Sequence, residues 1–258
     1  MKKYIVLTIF AAMTAVSACT QVFAEDFPSI VKRAKERNKR FINIVKDITI
    51  KQETTTNTEK GDMTSEMEVI KKGDKIRTNT TVNINTKKEM PPMTMAYIND
   101  GKDAWMISPM MGKQRLNIDQ DNNQSQKDWL ERISDKATLS GSEKVNGRNC
   151  YVLNVENSNI KKMWIDKKNL VLVKEESRNK DGKMFSVSCS NFKKIIEDYE
   201  IPYKMEMVLE GKNFGTVTIR SIELNKNVSD DLFDADKAAG KQTGPSVEEM
   251  MKMYKKRK

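Results

Sequence analysis

The strongest nucleophiles in the sequence are three cysteines, Cys19, Cys150 and Cys189, and there is no histidine beside which any of them could ionise. That one absence excludes a Ser-His-Asp triad, a His-assisted thiolate, an HExxH zinc site and a His-ligated haem. The phosphate-cradling patterns GxGxxG and GxxxxGK[ST] and the nucleophile elbow GxSxG are missing as well. Asp119-x-Asp121-x-Asn123 begins like a calcium loop. Its sixth position is Gln124 where a glycine is needed, and its twelfth is Leu130 where a glutamate is needed, so it reads as a polar loop. No catalytic residue, metal site or cofactor is expected, and the composition points to a binding protein.

The chemistry that remains is soft and apolar. Of the 17 methionines, 15 lie beyond residue 24, with local clusters at Met90-Pro91-Pro92-Met93 and Ser108-Pro109-Met110-Met111-Gly112. Methionine is flexible and polarizable. It fills gaps in ordinary cores, and it also serves surfaces that accept variable apolar ligands. Exposed apolar loops such as these two usually have a partner.

The first 24 residues read as an export signal. Lys2 and Lys3 form its positive end, and Tyr4 to Val16 form an apolar run too short to span a bilayer comfortably. Val22-Phe23-Ala24 suits cleavage before Glu25, giving a free periplasmic protein. Val16-Ser17-Ala18-Cys19 resembles a lipobox, which would lipidate Cys19 and anchor the protein at the outer membrane. Both processing routes remain open at this point. In an exported protein Cys150 and Cys189 could form one disulfide, provided their Cα atoms come within about 7 Å. Two strands separate them in the reading below, which favours two half-buried thiols.

Pro28 suits a first helical position, and Ile30, Val31, Ala34 and Phe41 predict one apolar helix face with Lys and Arg elsewhere. From Asp47 to about residue 225 the chain alternates. Ile76, Thr78, Thr80, Val82 and Ile84 form one such set, and Met93, Met95 and Tyr97 another. Tyr151, Leu153 and Val155, then Phe185, Val187 and Cys189, then Tyr203, Met205, Met207 and Leu209 repeat the pattern. Between the runs stand Lys72-Gly73-Asp74, Asn99-Asp100-Gly101, Asn146-Gly147, Lys180-Asp181-Gly182 and Glu210-Gly211-Lys212, residues that tolerate the positive φ of hairpin turns. About ten antiparallel strands are expected, each with one apolar and one wet face. Such a sheet must close or be covered. The covers are few: the first helix, a capped helix at about 125–134 (Ser125, Asp128, Trp129, Leu130, Ile133), and a tail. A partly covered sheet leaves a cavity.

The order of these motifs resembles that of the LolA-like outer-membrane lipoprotein carrier and sorting family over about residues 28 to 234. Asp47-Ile48-Thr49-Ile50-Lys51-Gln52 and Glu68-Val69-Ile70-Lys71-Lys72-Gly73-Asp74 look like its early strands. Tyr97-Ile98-Asn99-Asp100-Gly101-Lys102-Asp103-Ala104-Trp105-Met106, with Ser108-Pro109 after it, looks like its "DGK-x-x-W" hairpin. Met163-Trp164-Ile165-Asp166 with Leu170-Val171-Leu172-Val173-Lys174 looks like its "W-I-D…L-V-K" hairpin, and Asp231-Leu232-Phe233-Asp234 looks like its closing "x-L-F" element. The resemblance implies a mainly β (α+β) fold: an open, curved antiparallel half-barrel capped by a few helices. It also implies periplasmic transport of lipoprotein acyl chains or related lipids in an apolar cavity. Where the classical carrier has an arginine tied to closure of a helix, this chain has Lys72.

The resulting expectations are specific. Residues 1–24 are the signal, 25–235 the half-barrel, and 236–258 a linker and short basic amphipathic helix able to contact a membrane surface. The cavity is lined by Met67, Val69, Ile76, Met95, Tyr97, Trp105, Ile107, Leu153, Val155, Met205 and Met207. A one-residue slip in register would invert any of these assignments. A carrier of this kind is a monomer that binds acyl chains. Nucleic acid is not an expected partner, because the 46 Lys and Arg against 36 Asp and Glu are spread over turns and strand edges without interleaved aromatics. The alternative is a receptor or scaffold of the same fold, anchored through a lipidated Cys19.

Overall fold

Asp26 opens the first helix, its carboxylate accepting the Ser29 backbone N–H at 2.9 Å, with Pro28 in the first turn, where the missing N–H costs nothing. The structure, a computed structural model, describes residues 25–58, 61–84, 92–117, 129–133, 137–156, 158–197 and 199–240. Helix α1 spans Phe27–Ile44. A second helix, α2, covers Trp129–Arg132 among the described residues, a 3₁₀ turn covers Asp230–Phe233, and α3 covers Ala235–Ala239. The signal segment with Cys19, the Asp119–Asn123 loop, the Ser125–Asp128 cap and the basic tail lie outside the described residues. Residues 236–239, assigned to a linker from the sequence, belong to α3, whose Ala235 and Ala238 are buried against the sheet.

Among the described residues thirteen antiparallel strands build one sheet, three more than the alternation suggested. They are β1 (Asp47–Thr58), β2 (Gly61–Lys72), β3 (Lys75–Ile84), β4 (Met93–Asn99), β5 (Ala104–Ser108), β6 (Gly112–Leu116), β7 (Ala137–Val145), β8 (Arg148–Val155), β9 (Ile160–Asp166), β10 (Leu172–Arg178), β11 (Met184–Ile196), β12 (Tyr199–Leu209) and β13 (Lys212–Leu224). Every neighbour in the sheet is also a neighbour in sequence, except that β1 pairs with β13. Tight turns make the meander possible. At the β7–β8 turn Asn146 and Gly147 both have positive φ, 49° and 79°, the geometry whose twist matches flanking strands. The architecture is the open, curved antiparallel half-barrel that the sequence implied.

Directly opposed residues of an antiparallel pair point to the same side, so the register traces each face. Leu153 opposes Met163, which opposes Glu175, which opposes Val187 and then Met207. Met205 opposes Val217, which opposes Thr54. On β1, Gln52 lies two residues from Thr54 and therefore on the same face; it opposes Met67, which in turn leads to Thr80 and Met95. At one end of this face Ile30 and Ala34 of α1 and Trp129 of α2 pack on Tyr151, Leu153, Val155, Met163 and Ile165. We call it the helix face. The Trp129 indole N–H closes that core by donating to the Leu170 carbonyl at 3.0 Å.

The other face carries its own cover at the other end of the sheet. Phe233, Ala235 and Ala238 pack on Ile70, Ala96, Ile98 and Ile107. A third small core, Cys150, Val152, Trp164 and Val173, lies on this opposite face of β8–β10. The short edge strand β6 carries Lys113 and Arg115, charges that discourage pairing with another sheet.

The β1–β13 seam sets a demand on one residue. A Cβ at Gly215 would stand 2.4 Å from the Thr55 carbonyl oxygen and 3.1 Å from the Met207 methyl. Backbone cannot yield there without opening the seam. Gly215→Ala is therefore expected to destabilise the fold by about 1–3 kcal/mol, the usual cost of overpacking. The check is a lower urea midpoint at an unchanged m-value.

Candidate functional site

Beyond the end covered by α1 and α2, which reaches Tyr199 at the start of β12, the helix face continues over the rest of β12 and its neighbours β11, β13 and β1 to β5 without a described helix packed on it. Its side chains are apolar and half-buried: Val187, Ile201, Tyr203, Met205, Met207 and Val217 on one half, Ile50, Met67, Val69, Ile76, Met95 and Tyr97 on the other. Gln52, Thr54, Thr56, Ser65, Thr78, Thr80 and Lys193 are among the polar interruptions. At the β4–β5 end lies a pocket of about 340 Å³. It is formed by Met93, Met95, Met106, Pro109, Met110 and Met111 among others. Met110 and Met111 are half exposed, which places two flexible thioethers at its mouth.

Seven of the eleven sequence-assigned lining residues are brought together on this uncovered surface: Met67, Val69, Ile76, Met95, Tyr97, Met205 and Met207. Leu153 and Val155 share the face, but α1 and α2 seal them into the core at 0% and 4% exposure. Trp105 and Ile107 are corrections. Ile98 opposes Trp105 and Ala96 opposes Ile107, which puts both on the other face, against Phe233 and α3. Both alternating sets of β5 are apolar, so the sequence pattern could not distinguish them. The residue of β5 that does reach the uncovered face is Met106, opposite Tyr97.

Lys72 is a second correction. It lies on the face away from α1, and its ammonium donates to the Val228 carbonyl at 2.9 Å and to Asp230 Oδ2 at 3.0 Å. Lys75 holds the other carboxylate oxygen of Asp230 at 2.9 Å. This pair ties down the segment before the 3₁₀ turn and has no part in holding a helix over the apolar face.

The sequence reading also missed charged groups beneath α1. Arg37 follows Ile30 and Ala34 at helical spacing and shares their buried stripe. Its guanidinium lies 3.7 Å from the centre of the Tyr199 ring, and Phe41 stacks on the same ring at 4.1 Å. Arg132 of α2 pairs with Glu175 at 2.7 Å, with side chains only 17% and 10% exposed. A buried pair of this kind contributes little net stability, but losing one partner is costly.

Cys150 and Cys189 are both buried and free. They sit on opposite faces, with β9 and β10 between their strands, so the disulfide left open by the sequence does not form. Burial pushes the Cys150 thiol up to about 11, with the Asp166 carboxylate adding to it. Burial, then the Glu175 carboxylate, pushes Cys189 up to about 12. Neither is a poised nucleophile.

A family model described as "Uncharacterized protein" matches residues 88–237, well over half of the chain, and the chain belongs to that family. No curated protein matches it in sequence. Among solved structures it is similar to an outer membrane lipoprotein-sorting protein domain from Vibrio parahaemolyticus, at 16% identity and a TM-score of 0.58, covering 81% of this chain and 97% of that one. It is similar also to a DUF1329 family protein from Desulfovibrio piger, at 13% identity and a TM-score of 0.57, covering 80% and 96%. A LolA superfamily protein from Nitrosomonas europaea aligns at 18% identity over 83% and 99%, with a TM-score of 0.49. The fold is LolA-like.

The raised thiols give a signed pH dependence. An unfolded cysteine ionises near 9, whereas the folded protein keeps both protons beyond that. Their contribution to stability is fully present below pH 9 and is lost as the pH rises towards 11–12. Both thiols are expected to resist a disulfide reagent at pH 8 until the protein is unfolded. The urea midpoint is expected to fall between pH 9 and 11 more steeply in the native protein than in Cys150→Ala/Cys189→Ala.

Proposed function

We propose that this protein is a periplasmic carrier that holds acyl chains of lipoproteins or related lipids on the uncovered part of the helix face and moves them towards the outer membrane. One observation carries the reading: a continuous, methionine-rich, half-buried apolar surface spans the middle of a half-barrel whose described helices cover only one end of it. Transfer of an acyl chain from water to such a surface is worth about 0.8 kcal/mol per CH₂, so a fourteen-carbon chain gains roughly 10 kcal/mol before ordering costs. Methionine side chains let one surface fit chains of differing length. The Vibrio parahaemolyticus domain of the same fold, named for lipoprotein sorting, supports the same reading.

The role is one of binding without catalysis. The sequence has no histidine, and both described thiols are protonated far above neutral pH. No described helix is long and apolar enough to cross a membrane. The lipobox-like Val16-Ser17-Ala18-Cys19 favours a second form of the same function, a receptor tethered through a lipidated Cys19. Intact mass of the mature protein separates the two, by a start at Glu25 or an acylated Cys19.

The expected result for the carrier is that delipidated protein binds a fluorescent acyl probe. Met95→Asp and Met205→Asp, each burying a carboxylate against the chain, are expected to weaken it at least about tenfold. Ile107→Asn, on the opposite face, is expected to lower stability without a comparable loss of probe affinity in the folded fraction. Undiminished binding in both Asp variants, with the fold intact, would reject this face as the site.

A further inference from the structure

At the base of α1, against the β9–β10 turn, lies a second pocket of about 190 Å³ with a polar lining: Arg33, Glu36, Arg37, Arg40, Lys168 and Asn169. Three arginines and a lysine thus face one glutamate. Arg33 is already neutralised, paired with Glu25 at 2.5 Å and donating also to the Lys167 carbonyl at 3.2 Å. The Asn169 amide is spent on Glu200, which also takes Arg148. Among the described residues, Arg37, Arg40 and Lys168 form no salt bridge. The pocket therefore carries about two uncompensated positive charges.

Arg37 makes the pocket more than a basic surface. The residue is 8% exposed, and its Nη2 is buried with no hydrogen-bond partner. Its guanidinium is fixed in place over Tyr199. A buried donor left unmet costs about 1–3 kcal/mol, more when charged, and water satisfies it only where it can reach. A planar, immobilised guanidinium with a free donor, flanked by the exposed cations Arg40 and Lys168, is an arrangement suited to an oxyanion.

We propose that this pocket binds an anionic phosphate or carboxylate group, with Arg37 as the fixed donor and Arg40 and Lys168 as the exposed clamp. The site stands on residues separate from the apolar surface, but Tyr199 beneath Arg37 shares its face of β12 with Ile201, Tyr203 and Met205 of that surface. The group could belong to an amphiphile whose chain lies on that face, or be a free anion.

The test uses the mature protein at low ionic strength with two probes, inorganic phosphate and a short-chain phosphatidylglycerol below its micelle concentration, followed by calorimetry. Both probes are expected to bind. The rim variant Arg40→Glu/Lys168→Glu, which leaves the buried residues untouched, is expected to weaken both at least about tenfold, and Arg37→Gln to do the same if it folds. Phosphatidylglycerol at least tenfold tighter than phosphate assigns the site to a lipid headgroup, whereas equal affinities assign it to a free anion. Failure of both probes to bind, or affinities unmoved by the rim variant, overturns the proposal. A neutral alkyl probe separates this from the carrier reading. It is expected to bind the rim variant as it binds the native protein, and its failure to bind either would reject the carrier while leaving the anion site intact.

Discussion

The pairing of β1 with β13 is the constraint on which the rest of the molecule depends. Without it the chain is two separate meanders, β1 to β6 and β7 to β13. Nine residue pairs from Ile48–Leu224 to Thr56–Gly215 join them, and the seam admits no side chain at Gly215. This is the longest-range contact in the sheet, and it carries the largest loop-closure cost. Once it forms, the face of every residue from β6 to β7 is set by alternation, because register passes from strand to strand without a free choice.

That single register explains why the covers lie where they do. An alternating sheet of thirteen strands offers two broad faces, and the described chain spends few residues on helices. α1 and α2 seal the helix face at β7–β10, while the 3₁₀ turn and α3 seal the opposite face at β2–β5. The two covers sit on different faces at different ends. The uncovered remainder of the opposite face is charged, with Lys51–Glu68 and Glu53–Arg220 paired across strands and Lys204–Glu206 paired along β12. The uncovered remainder of the helix face is apolar. Water stabilises the first arrangement and not the second, so the unmet demand of the fold is for an apolar partner on the helix face.

Much of this was legible in the sequence because it rests on local rules. Positive-φ turn residues marked the hairpins, and alternation marked the strands with one dominant apolar face, the face on which Met67, Met95, Met205 and Met207 stand. β5 was not legible, since Ala104, Met106 and Ser108 against Trp105 and Ile107 offer two apolar sets, and only pairing with β4 chooses between them. α3 was hidden by length: five residues have no helical period to detect, and what holds them is Ala235 and Ala238 against Ile98 and its neighbours. Lys72 was read through a family position, but its partner, Asp230, is 158 residues away and no local pattern announces it.

Arg37 failed to be read for a different reason. A helix rich in Lys and Arg suggests solvated cations, and one cation on the apolar stripe looks like noise. The spacing Ile30, Ala34, Arg37, Phe41 was nonetheless regular. A charge kept on such a stripe must be held by something, and here the Tyr199 ring holds one face of the guanidinium while Nη2 stays unmet. The helix that seals the apolar core therefore also carries a fixed cation at its lower end. Tyr199, which holds that cation, shares its face of β12 with Ile201, Tyr203 and Met205, so a fixed cation and an uncovered apolar surface, the two halves of an amphiphile's environment, adjoin on one face. A ligand with a long chain and an anionic head would satisfy both, and neither a purely apolar molecule nor a free ion would do so alone.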